Sequence, residues 1–137
     1  MQKLYENPYI TISWSENDGL VEACWTPQTE TMTDEMFKVS ISEIWKAVKT
    51  YKPHGFLGDT QFFHYLINPE VQEWYGHNIK GTFGTHTRYL AMIMSSTFIS
   101  QLSIEQTIEE DTSANTITHY FDNLEEARLW LNSRPKI

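Results

Sequence analysis

The sequence predicts one α/β domain built on a mixed sheet of about five strands, with an N-terminal β-hairpin followed by alternating helices and strands. Three observations carry that prediction. Two short β-prone runs flank Asn17-Asp18-Gly19, a tight-turn signal. An amphipathic pattern runs from Thr33 to Tyr51. After it, short apolar runs alternate with capped helical patterns, and consecutive β-α-β units call for parallel strands joined by right-handed crossovers.

The first strand reads Tyr9-Ile10-Thr11-Ile12-Ser13-Trp14, and Leu20 to Thr26 returns as the second, closed by Pro27. Thr33 is placed to cap the first helix, with Asp34 and Glu35 in the first turn, where carboxylates suit the helix dipole. Phe37, Ile41, Ile44, Val48 and Tyr51 recur at steps of four and three, one stripe against a sheet. Lys46, Lys49 and Lys52 gather towards the C-terminal end, and Pro53 with Gly55 stops the helix.

Gly55 to Thr60 reads as a short strand ending in polar residues. Asn68-Pro69-Glu70 opens a second helix, with Asn68 as cap and Pro69 at the first position. Val71, Trp74, Tyr75 and Asn78 follow at helical spacing. Residues 80–87 form a loop, and Arg88 to Met94 a strand. Ser95, Ser96 and Thr97 cap a further helix bearing Phe98, Ile99 and Leu102, with a second capping box at Ser103 to Gln106. Thr118 to Phe121 is the last strand. Asp122 to Glu125 forms the capping box of a last helix, whose Leu124, Ala127 and Leu131 face the core with Trp130 flanking. The order is β-β-α-β-α-β-α-β-α. This pattern leaves open whether the helices cover one face of the sheet or both.

With 137 residues, no internal repeat and no linker-like stretch, residues 1–137 are expected to form a single domain. The formal net charge of −8 and the scatter of the basic residues disfavour nucleic acid and anionic membrane surfaces as partners. A single cysteine, Cys24, rules out an internal disulfide and suits a reducing compartment. No hydrophobic run follows Lys3, as a signal peptide would require, and no apolar stretch approaches the ~20 residues of a membrane span. A cytoplasmic protein without membrane insertion is expected.

Ligands of open α/β sheets bind beyond the carboxyl ends of the parallel strands, which selects Asp59 to His64 and Ser95 to Phe98. The hydroxyls of Ser95, Ser96 and Thr97 at a helix start suit an anion, and also serve as plain capping. The rings of Phe62, Phe63, Tyr65, Trp74 and Tyr75 crowd one strand end and the next helix. They are candidates for core packing, for an apolar pocket or for a self-association surface. The five histidines have no metal-ligand spacing, the glycines at 81 and 84 lack the Lys-Ser/Thr ending of a phosphate loop, and no GxSxG occurs. No cofactor, metal or catalytic residue is expected.

Two stretches carry a resemblance. Ser95-Ser96-Thr97-Phe98-Ile99-Ser100-Gln101-Leu102-Ser103, and Tyr120-Phe121-Asp122-Asn123-Leu124-Glu125-Glu126-Ala127-Arg128-Leu129-Trp130-Leu131, are similar to the small bacterial STAS/SEC14-like (SpoIIAA-like) domains. The resemblance covers most of the chain. It implies a non-enzymatic domain that binds proteins or small apolar or anionic ligands. Anti-sigma-factor antagonists of that wider family carry a phosphorylatable Ser directly after an Asp at the end of a central strand. Asp59-Thr60 stands at the matching place, followed by Gln61-Phe62-Phe63 where the family continues with small residues. The expected function is thus a regulatory or ligand-binding domain working through protein contacts, as a homodimer or with another protein. The alternatives are a lipid carrier with a cavity beside the first helix, or a small enzyme using Asp59, His64 or His77.

Overall fold

The computed structural model describes residues 1–78, 87–94 and 116–135. Its sheet has six strands in the order of the chain: β1 (Gln2–Asn7), β2 (Ile10–Ser15), β3 (Leu20–Trp25), β4 (Gly55–Asp59), β5 (Tyr89–Ile93) and β6 (Ile117–Phe121). β1, β2 and β3 pair antiparallel, and β3 to β6 pair parallel. The helices are α1 (Asp34–Tyr51), α2 (Pro69–Asn78) and α3 (Leu124–Asn132), with a short 3-10 turn at Pro27–Thr31. The α/β class and mixed sheet agree with the sequence.

The strand count is one higher than expected, because β1 lies ahead of the hairpin. Its register against β2 slips between Lys3 and Tyr5, a bulge that breaks the period-two alternation by which a strand is read. Leu4 and Tyr5, neighbours in sequence, both pack against the main core. Asn7 makes the turn into β2, its Oδ1 accepting from the N–H groups of Tyr9 (2.8 Å) and Ile10 (3.1 Å). The second turn is the expected one. Gly19 takes φ +67°, open to glycine without steric cost, and its N–H donates to Ser15 O at 2.8 Å.

Thr33 caps α1 through Met36 N–H at 3.2 Å, and Lys52 ends it in the left-handed region. The buried stripe is rotated from the expected one. Phe37, Ile44 and Val48 are inside, but Ser40 and Ala47 join them while Ile41 and Tyr51 stay half-buried. Ser40 is accepted there because Asn7 Nδ2 donates to its hydroxyl at 3.0 Å. Asn68 caps α2 through Val71 N–H at 3.0 Å. In α3 the cap is one residue later than expected. Asn123, not Asp122, accepts from Glu126 N–H at 2.9 Å.

Helices cover both faces. The face of Ile10, Ile12, Val21, Phe56 and Leu90 is packed by α1, α2 and the chain leading into α2. Leu57, Tyr89, Ala91 and Ile93 point the other way, onto Ala127 and Leu131 of α3. Crossovers of one hand between strands laid down in sequence order put their helices on one side. α3 follows the last strand, makes no crossover, and closes the opposite side. Its contacts are chiefly with β4, β5 and β6, and it reaches β3 through Leu20 and through the pairing of Arg128 with Glu22. Among the described residues no helix is long and apolar enough to cross a membrane.

Candidate functional site

The carboxyl ends of β3 and β4 meet in register, Cys24 beside Asp59. Asp59 Oδ1 accepts from Gln61 N–H at 3.1 Å, which turns the chain out of the strand. Cys24 Sγ lies 3.7 Å from Asp59 Oδ2. Partial burial, then the Asp59 carboxylate, push the thiol up to about 11, and Glu22 adds to the effect. The thiolate is the nucleophilic form, so this exposed cysteine is held in its unreactive state at neutral pH. Glu22 is itself paired with Arg128 of α3 at 2.9 Å.

Thr60 turns inwards. It is 3% exposed, its N–H donates to Ile93 O at 3.2 Å, and its hydroxyl donates to the same carbonyl. In this position it ties β4 to β5 and presents no hydroxyl to solvent.

Residues 60–68 turn at 61–62, where Phe63 N–H donates to Thr60 O at 3.1 Å, and then run to α2 with alternate side chains buried. Phe63, Tyr65 and Ile67 are buried, whereas Phe62 is 46% and Leu66 56% exposed. The buried rings stack into the core: Phe63 lies edge-on to Trp25 at 4.9 Å between centroids, and Tyr65 stacks on Phe37 at 5.0 Å. The backbone is anchored as well. The buried Thr29 hydroxyl accepts from His64 N–H at 2.8 Å and stands 3.1 Å from Phe62 O, within donating reach. At the far end the Tyr65 hydroxyl donates to Asp34 Oδ1 at 2.5 Å, and Asn68 Nδ2 reaches both oxygens of the same carboxylate.

The aromatic group read from the sequence is therefore divided. Phe63, Tyr65 and Tyr75 are core residues, Phe62 is displayed, and Trp74 is half-buried on α2 with Lys38 Nζ 5.6 Å above its ring. Trp74 forms one wall of an open groove of about 480 Å³ along the outer face of α1. Beside α1, where a carrier's apolar cavity was expected, this groove is lined mostly by charged side chains, Glu35, Lys38, Glu43 and Lys46 among them.

Asp59, His64 and His77 have separate neighbours. Asp59 takes Cys24 and Gln61, His64 is held through its backbone to Thr29, and His77 lies 3.7 Å from Glu73 on exposed helix. Among the described residues no three His, Cys, Asp or Glu side chains come together as a metal site. Ser95, Ser96 and Thr97 lie outside the described residues. Sequence reasoning missed the loop anchors Thr29 and Asp34 and the Cys24–Asp59 contact. The sidedness of the loop shows in burial and not in the sequence, where residues 62–67 are apolar at every position but His64.

No protein-family model matches this chain, and no curated protein or solved structure matches it either.

Proposed function

We propose that this chain is a non-enzymatic binding domain that acts through protein contacts in a reducing compartment, with the 60–68 loop as its contact element. The observation that carries this reading is the exposure of Phe62 and Leu66 on a backbone pinned at Thr29, Asp34 and Ile93. Two large apolar side chains held outwards at fixed positions on one anchored loop suit a contact surface. A loop that binds gains from this arrangement, because rigid apolar anchors lose little conformational freedom on association. The STAS/SpoIIAA-like resemblance supports the same class of function.

The test compares the wild-type chain with the Phe62→Ser, Leu66→Ser double variant as immobilised bait in a lysate of the native host, with bound proteins quantified. Both side chains are exposed, so the variant is expected to melt as the wild type does. Proteins held by the wild type are expected to be lost from the variant. An identical set on both baits, or none on either, would sink the proposal.

A further inference from the structure

The loop that displays Phe62 and Leu66 lies in the most one-sided part of the chain's charge. Residues 4–37 and 53–78 hold ten of the 18 acidic residues and no Lys or Arg. These two stretches supply both the loop and the segments that anchor it. Asp59 precedes the loop at the end of β4, and Glu70 follows it in the first turn of α2. Glu30 is the neighbour of Thr29, whose hydroxyl meets Phe62 O and His64 N–H. Asp34 takes the Tyr65 hydroxyl and Asn68. Carboxylates therefore stand at both ends of the loop and beside its backbone.

The cations that reach this rim are engaged elsewhere. Arg128 acts on Asp59 but is paired with Glu22 at 2.9 Å. Lys38 is the least of the influences on the Asp34 carboxyl, and its Nζ lies over the Trp74 ring. Glu30 and Glu70 are exposed and have no ion-pair partner among the described residues.

An apolar pair inside an anionic rim chooses its partner by sign. Interfaces put apolar side chains at the centre and polar ones at the rim. Charges there speed the encounter with an opposite surface and turn away a like one. A second copy offered by the same face would bring two acidic rims together, and nucleic acid or an anionic membrane is repelled in the same way. Resting on the loop as the contact element, we propose that its occupant is a cationic amphipathic segment of a partner protein. The segment's apolar side chains meet Phe62 and Leu66, and its Lys or Arg side chains meet Glu30, Asp34 and Glu70.

A random-peptide phage library, selected in parallel on the immobilised wild type and on the Phe62→Ser, Leu66→Ser variant, tests the contact and its sign separately. Peptides retained by the wild type alone are expected to combine apolar side chains with an excess of Lys and Arg over the unselected library. The peptide most enriched, synthesised with a fluorescent label, is expected to bind a Glu30→Gln, Glu70→Gln variant about fivefold more weakly than the wild type. Its binding to the wild type is expected to weaken as salt rises from low to physiological strength. Circular dichroism of the variant is expected to match the wild type, since both substituted side chains are exposed. Loop-dependent peptides without a cationic excess, or binding indifferent to the two carboxylates and to salt, would overturn the cationic partner and leave the loop as a contact element. The absence of any loop-dependent peptide would overturn both.

Discussion

The carboxylate of Asp34 stands in the first turn of α1 and takes hydrogen bonds from Tyr65 and from Asn68, whose own Oδ1 caps α2. One side chain thereby couples the starts of two helices to the loop between them. The bond from Tyr65, and then that from Asn68, hold the Asp34 carboxyl below its usual range. Burial, and then Asp34, push the Tyr65 phenol well above its own. The two shifts set the pH window. A depressed carboxyl stabilises the fold fully above its unfolded value near ~3.9 and loses that contribution as pH falls towards the folded value. A raised phenol stabilises below about 10 and loses its contribution as pH rises beyond it. Tyr65→Phe is therefore expected to lower stability most between these limits. The gap from wild type, measured by urea unfolding across pH, should narrow below about 4 and above about 10. A gap that stays constant through the acid range would mean that the bond does not depend on the Asp34 charge.

β1, an element with little propensity of its own, is held by its ladder to β2, by Leu4 and Tyr5 on the main core and by one side-chain bond to α1. Its outer edge is blunted by the bulge and by Lys3 and Glu6, which discourages pairing with another chain's strand. Asn7 adds to this attachment, since it makes the turn to β2 and bonds the buried hydroxyl of Ser40 on α1. Asn7→Ala removes the turn acceptor and leaves Ser40 unpaired, an expected loss of about 1–3 kcal/mol. Chemical denaturation should show a lower midpoint with an unchanged slope, and hydrogen exchange should show the β1 amides opening first. The same element marks where sequence reading stops. The caps at Thr33 and Asn68, the turn at Gly19 and the apolar stripe of α1 depend on neighbours a few residues away, so the sequence displays them. Ser40 in the buried stripe depends on a partner thirty-three residues distant, and β1 on a bulge that erases its alternation. The Asn7-Pro8 pair is a turn signal that pointed to an element before it. At the candidate site the aromatic crowding of the loop was legible, whereas which side chains turn inwards, the anchors Thr29 and Asp34, and the Cys24–Asp59 pairing arise only from tertiary placement and parallel register.

Across the whole molecule, the sheet separates two cores built on the same strands. β3, β4 and β5 send alternate side chains to each: Val21, Phe56 and Leu90 towards α1, and Leu20, Leu57 and Ala91 towards α3. Leu131 of α3 is fully buried over Gly55, where an added Cβ would come within 3.0 Å of its methyl, so the strand's lack of a side chain there makes room for the helix. Because every central strand belongs to both cores, the two are expected to unfold together. Leu131→Ala is expected to cost about 2–5 kcal/mol and Ile44→Val, in the opposite core, about 0.5–1.5 kcal/mol. The double variant should lose their sum to within about 0.5 kcal/mol, because the sheet lies between the two sites and they share no contact. Unfolding followed by far-ultraviolet circular dichroism and by tryptophan fluorescence should still give one coincident transition in all three variants. Trp130 reports from the α3 side, stacked on His119 at 4.5 Å, and Trp25 from the α1 side. Separate transitions in Leu131→Ala would mean that α3 is an attachment to the sheet, and its pairing of Arg128 with Glu22 a clasp on a finished fold. A single transition would make both cores parts of one cooperative unit, with the 60–68 loop as a surface carried on it.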